Sequence, residues 1–144
     1  MPGVSEHLEL AGKNRRALTF LLDSGDHPEW VATVAFYTAL QIVEAAIVAV
    51  EGQSSSGHKE RHEMLKRERK YKSIWEHYRP LFTASLVARY LNASDNSSGY
   101  RSFEDFMRPE AVKSELVNHR LHKVKQSVEK LLKKKDHKSA LENC

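Results

Sequence analysis

The stretch from Trp30 to Val50, WVATVAFYTALQIVEAAIVAV, constrains the fold more than any other part of the chain. Phe36, Leu40, Val43, Ile47 and Val50 recur at alternating steps of four and three, so they share one helical face. Thr33, Tyr37, Gln41 and Glu44 recur at similar steps and form a second, polar face. A helix that is apolar around most of its circumference is buried on most sides. A carboxylate inside such a helix must be hydrogen-bonded or neutralised. Glu44 therefore requires a partner, and a basic side chain from another helix is expected to supply it. The run is nearly long enough to span a bilayer. Gln41 and Glu44 in its interior favour a buried core helix instead, in a protein with no membrane segment.

The remaining punctuation predicts an all-α protein. Strand-like alternation is scarce, and only six glycines and four prolines occur in 144 residues, a length that suits one domain with one core. A first helix is predicted over Ser5 to Leu22, with Leu8, Ala11, Leu18 and Leu22 on one stripe and Arg15 on the same line. Asp23-Ser24-Gly25-Asp26 stops it, and Pro28 opens the second helix, where a missing amide hydrogen does no harm. The short connection predicts antiparallel packing. Gly52 to Gly57, GQSSSG, reads as a flexible break. His58 to Tyr71 reads as a very polar, mostly solvated helix anchored by Met64 and Leu65.

Ile74, Tyr78, Leu81, Ser85 and Ala88 make one stripe of the next helix, and Tyr78, Phe82, Ser85 and Arg89 the adjoining one. Pro80 predicts a kink or a fresh start there. Asn92 to Gly99 is a polar loop, after which Tyr100, Phe103 and Phe106 return to the core or an interface. Pro109 opens the last helix, with Val117, Leu121, Val124, Val128 and Leu131 as its seam. The expected architecture is an antiparallel bundle of about four to five main helices over residues 1–134, with a frayed basic tail over 135–144.

Net charge is +4, compatible with nucleic acid or nucleotide phosphates. The single cysteine, Cys144, precludes an intrachain disulfide, and no secretory signal precedes the first helix, so a cytoplasmic protein is expected. No glycine-rich phosphate loop, Gly-x-Ser-x-Gly elbow or well-placed nucleophilic cysteine occurs, which disfavours ordinary serine and cysteine hydrolases. His58 with His62, and His119 with His122 beside Glu115, have ligand spacing, yet neither set closes a metal site. No metal and no cofactor are expected.

FYTALQIVEAAIVAVEG, then His58-x-x-Arg61, then YRPLFTASLVARYL with its Ala88-Arg89-Tyr90 ending, resembles a HEPN domain (higher eukaryotes and prokaryotes nucleotide-binding). The likeness covers roughly Trp30 to Leu91 by motif and the flanking helices by architecture. It implies a helical bundle that commonly forms homodimers. It also implies one of three roles: a metal-independent ribonuclease of a toxin or defence system, a companion of a nucleotidyltransferase, or an inactive binding module. The family's ribonucleases carry an arginine followed by a histidine after four to six intervening residues. No arginine here has a histidine at that separation; Arg69 and His77 come closest, with one residue too many.

Arg89, with Ser85 one turn earlier and Tyr90 beside it, has two readings. Guanidinium offers paired donors to phosphate oxygens in a dimer groove. Equally, it supplies the buried partner that Glu44 requires, and both hold if Glu44 orients it. His58 and Arg61 share one helix face. In a ribonuclease, as the resemblance implies, His58 moves protons, Arg61 stabilises developing charge and Arg89 holds the scissile phosphate, with Tyr37 and Glu44 positioning the arginines. Lys123, Lys125, Lys130, Lys133, Lys134 and Lys135 form a second basic surface, which is either a phosphate track or a solvated helix face. The expected function is a dimeric protein that binds RNA or nucleotide phosphates, with endoribonuclease activity as its enzymatic form. The alternative is a non-catalytic interaction module for a neighbouring protein.

Overall fold

Two glycines cut the N-terminal half of the chain into rods. Gly25 (φ 76°) and Gly52 (φ 86°) take the left-handed conformation at which helices end most easily. Their amides donate to the carbonyls of Leu21 and Val48. Helix α1 (Val4–Ser24) and helix α2 (Pro28–Glu51) result, and they pack along one another. The computed structural model describes residues 2–93, 99–135 and 144. Helix α3 (His58–Arg67) and helix α4 (Lys72–Tyr90) follow, joined by a tight 3₁₀ turn, Arg69–Tyr71. A single-turn helix α5 (Phe103–Phe106) precedes a last rod, which begins as α6 (Pro109–Ala111) and ends as α7 (His122–Lys134). The fold is all-α, with no strand among the described residues.

Helix α2 is the centre of the core. It packs against α1, α4 and the last rod, and Ala32, Ala35, Ala39, Ala45 and Ala46 are fully buried, so neighbouring backbones approach it on several sides. By length and hydropathy it would pass for a membrane span, yet 78% of its most apolar window is buried inside this bundle. One apolar cluster runs from Leu8 to Leu132.

Some details depart from the sequence pattern. The polar segment after the serine loop is not one helix to Tyr71. It ends at Arg67, and Glu68 turns extended (ψ 125°) so that the chain reverses into α4. As expected, the helix is mostly solvated, with six of its ten residues exposed and Leu65 buried as an anchor, but Arg61 is buried as well. Of the kink or fresh start predicted at Pro80, the fresh start does not occur, because helix α4 runs unbroken from Lys72 to Tyr90. Burial of Ile74 and Tyr78 before the proline, and of Leu81 and Ala84 after it, outweighs one missing hydrogen bond. In the last rod, Val112–Leu121 is wound with i→i+5 bonds. Val112 and Val117, like Leu116 and Leu121, then stand five apart on the buried face, and Leu132 replaces Leu131 as the innermost residue of the final turn. The expected loop at 94–98 and most of the expected tail, 136–143, lie outside the described residues.

Leu91 closes α4 at φ 57°, a left-handed backbone that disfavours leucine by about 1 kcal/mol. Its amide donates to Val87 and its carbonyl accepts from Tyr100, so the strained geometry is held from both sides. The side chain is 40% exposed and contributes little packing. Leu91→Gly is expected to raise the unfolding free energy by about 0.5–1 kcal/mol, read as a higher urea midpoint at unchanged slope. A lower midpoint would show that the leucine side chain outweighs the strain.

Candidate functional site

The carboxylate of Glu44 is 3% exposed, and its partner is Arg61, 6% exposed, whose Nε lies 2.9 Å from Oε1. The Ser55 amide donates to Oε2 at 3.1 Å, and the Ser55 hydroxyl donates to Oε1. The expected pair of Glu44 with Arg89 is therefore corrected: a buried pair forms, but with the arginine of α3. The connection between α2 and α3 brings Arg61 directly back onto the C-terminal half of α2. Arg89, at the end of α4, meets α2 at Tyr37, seven residues and about 10 Å earlier along its axis.

The serine loop, expected to be a flexible break, is tied at each serine. Ser54 meets the His7 Nε2 at 3.0 Å, while His7 Nδ1 lies 2.7 Å from the Gln41 side-chain oxygen. Ser55 holds Glu44, and the Ser56 amide and hydroxyl both donate to Glu60. These residues escape sequence reasoning because serine and glycine runs signal a loop without saying what it binds. The one local signal is Ser56 with Glu60, four residues on, across a helix start.

Arg61 also organises His58. Its Nη1 lies 3.0 Å from His58 Nδ1. A guanidinium can only donate, so Nδ1 accepts and the neutral ring carries its proton on Nε2. Burial, then the charges of Arg61 and Arg89, hold the His58 pKa below the ordinary histidine value. At neutral pH this side chain is thus a neutral ring offering an Nε2–H donor. A general base, the role expected for His58, does not fit this tautomer, because Nδ1 accepts from Arg61 and Nε2 already carries the proton.

Arg89 is the other cation of the cluster. Its guanidinium lies between two phenol rings, 5.4 Å from the Tyr37 centroid and 5.0 Å from that of Tyr90. Nη1 donates to the Tyr37 hydroxyl (3.0 Å) and, more distantly, to that of Tyr90 (3.5 Å). Nε donates to the Ser85 carbonyl (3.2 Å) and Nη2 to the Ser85 hydroxyl (3.3 Å). Ser85 in turn donates to the Phe82 carbonyl. Among the described residues no carboxylate lies within ion-pair distance of Arg89. The structure thus brings Tyr37, Ser85 and Tyr90 onto Arg89, and Glu44 and His58 onto Arg61. Phe36 and Phe82 link the two groups: Phe36 packs on Tyr37 and His58, and both phenylalanines pack on one another. The lysines of α7 line a separate rod that packs on α2 and α4.

His62, one turn after His58, stacks edgewise on Phe82 at 4.4 Å and faces Tyr78 and Trp75. Burial chiefly, with Arg61, His58 and Lys66 nearby, depresses its pKa to about 4. In the unfolded chain a histidine takes its proton near pH 6.5. Acid therefore favours the unfolded state as pH falls from about 6.5 to about 4, and the loss levels off below that. His58 and His77 are shifted in the same direction. The urea midpoint is expected to drop between pH 7 and pH 4.5, and His62→Phe is expected to flatten that drop. An unchanged pH dependence in His62→Phe would contradict the burial of a neutral ring.

Comparison with known proteins finds no matching family model, no matching curated protein and no matching solved structure.

Proposed function

We propose that the protein is a HEPN-like, cytoplasmic RNA-binding domain that holds a backbone phosphate between Arg89 and the Nε2–H of His58. The observation that carries this reading is the disposition of the two arginines. Arg61 is consumed by a buried carboxylate, while Arg89 is fixed by neutral acceptors and rings, with no carboxylate beside it among the described residues. A guanidinium held in that way is preorganised for a phosphate oxygen, because its freedom is already lost before the ligand arrives. The neutral His58 adds a donor without repelling Arg89. Nothing in the cluster is arranged to take a proton from a ribose hydroxyl, since Nδ1 of His58 is occupied by Arg61. Binding without cleavage is the reading this chemistry favours.

The test is fluorescence anisotropy of a short single-stranded RNA at low and moderate salt, with total RNA incubated in a chelator alongside. Salt-sensitive binding with the RNA left intact is expected. Absence of binding at low salt would refute the reading, and degradation in the chelator would restore the ribonuclease alternative.

Phe20 and Trp30, 75% and 60% exposed, stand near the turn between α1 and α2. Exposed aromatic side chains of this size favour a second copy of the chain as partner. They equally suit the second reading, a non-catalytic module docking a different protein. A solution mass of two chains supports the homodimer, and a monomer favours the module.

A further inference from the structure

A groove between α3 and α4 shares His62 and Phe82 with the surroundings of His58. Its volume is about 440 Å³, and its walls include His62, Lys66, Trp75, Arg79, Phe82 and Thr83. That volume falls within the roughly 300–1,000 Å³ typical of small-molecule sites. The spacing explains the arrangement. His62 and Lys66 are one turn apart on α3, and Trp75, Arg79 and Phe82 step by four and three along α4, so two helix faces meet over the groove. The Lys66 ammonium stands 5.5 Å from the Trp75 ring centroid. Among the described residues no carboxylate lines the groove.

Two cations on mobile stems beside a half-buried indole are the elements with which proteins bind nucleotides without reading sequence. The ring stacks on the base, and the cations take the phosphate. An inorganic anion would leave Trp75 unused, and a neutral aromatic ligand would leave Lys66 and Arg79 unused. A nucleotide uses all three. The Thr83 hydroxyl, which can donate and accept, adds a polar contact for either base or sugar.

We propose that this groove is a nucleotide subsite, in which a base stacks on Trp75 while Lys66 and Arg79 hold its phosphate. The subsite rests on the reading of Arg89 as a phosphate site, and it extends that site by one nucleotide of the same strand. His62 and Phe82 form the partition between the two positions. The His58 and His62 rings, 5.9 Å apart, set the scale of the step from one to the next. Lys66 leaves the indole face for the phosphate when the base arrives.

The test uses Trp30→Phe, which leaves Trp75 as the sole indole reporter. Adenosine 5′-monophosphate is expected to quench Trp75 fluorescence, and ribose 5-phosphate is expected to leave it unchanged. Lys66→Ala with Arg79→Ala, both exposed positions, should weaken the nucleotide and a short single-stranded RNA by at least about tenfold, with thermal unfolding unchanged. The RNA should bind at least about tenfold more tightly than the mononucleotide, an advantage that Arg89→Ala abolishes. Absence of quenching by the mononucleotide, or RNA binding indifferent to the Lys66 and Arg79 substitutions while still lost in Arg89→Ala, would overturn the subsite and leave the Arg89 reading standing. Quenching by the mononucleotide, with RNA binding no tighter and indifferent to Arg89→Ala, would overturn the Arg89 reading and leave a pocket for free nucleotides.

Discussion

Arg61→Ala is expected to lower the unfolding free energy by about 3–5 kcal/mol. Among the described residues, the substitution leaves the Glu44 carboxylate in the core with only the Ser55 amide and hydroxyl as partners. Two hydrogen bonds do not replace a guanidinium charge inside an apolar helix. For a domain whose whole stability is about 5–15 kcal/mol, this is a large fraction. The urea midpoint at pH 7 measures it. Glu44→Gln combined with Arg61→Met is the control, since removing both charges together should recover most of the loss. His58 should respond too, because its Nδ1 loses the donor that fixes the tautomer. A loss below about 1 kcal/mol in Arg61→Ala would show that the pair is solvated and that Glu44 does not depend on it.

Arg89→Ala is expected to do the reverse: little to stability, much to binding. The side chain is half-buried, and its bonds go to hydroxyls and a carbonyl, so its removal strands no charge among the described residues. A charge-assisted contact to phosphate contributes about 1.5–3 kcal/mol, so RNA affinity should fall by about tenfold to a hundredfold. The slope of log affinity against log salt should shrink by about 0.7, the contribution of one phosphate on a single strand. Arg89→Lys keeps the charge but loses the planar fork and the fit between Tyr37 and Tyr90. It should retain most of the salt slope and lose part of the affinity. Equal RNA affinity in wild type and Arg89→Ala would remove Arg89 from the site.

The rods were legible in the sequence and their partners were not. Gly25, Gly52, Pro28 and Pro109 mark helix ends because each acts locally, through a left-handed backbone or a missing donor. The period of α2 announced a core helix, and the need of Glu44 for a cation followed from elementary electrostatics. Which arginine answers that need depends on the path of residues 52–57. That path is fixed by Ser54, Ser55 and Ser56 reaching His7, Glu44 and Glu60, contacts with no periodic signature. Arg61 was hidden for a related reason. Helix α3 is so densely charged that a buried arginine looks like one more solvated one. The i→i+5 winding at Val112–Leu121 is equally silent, because an apolar seam at steps of four and three suits an α-helix just as well. The resemblance, together with the spacing, nominated His58, Arg61 and Arg89 together. The geometry separates them into a structural cation, a neutral donor and a cation with no carboxylate beside it among the described residues.

In the proposed complex Arg89 is the cation that meets RNA, and Arg61 stays inside. NMR of the arginine Nε–Hε groups, followed while a short single-stranded RNA is added, tests this most directly. The Arg89 resonance should shift with saturating RNA and that of Arg61 should stay in place. An Arg89 resonance that stays unmoved at saturating RNA would contradict it.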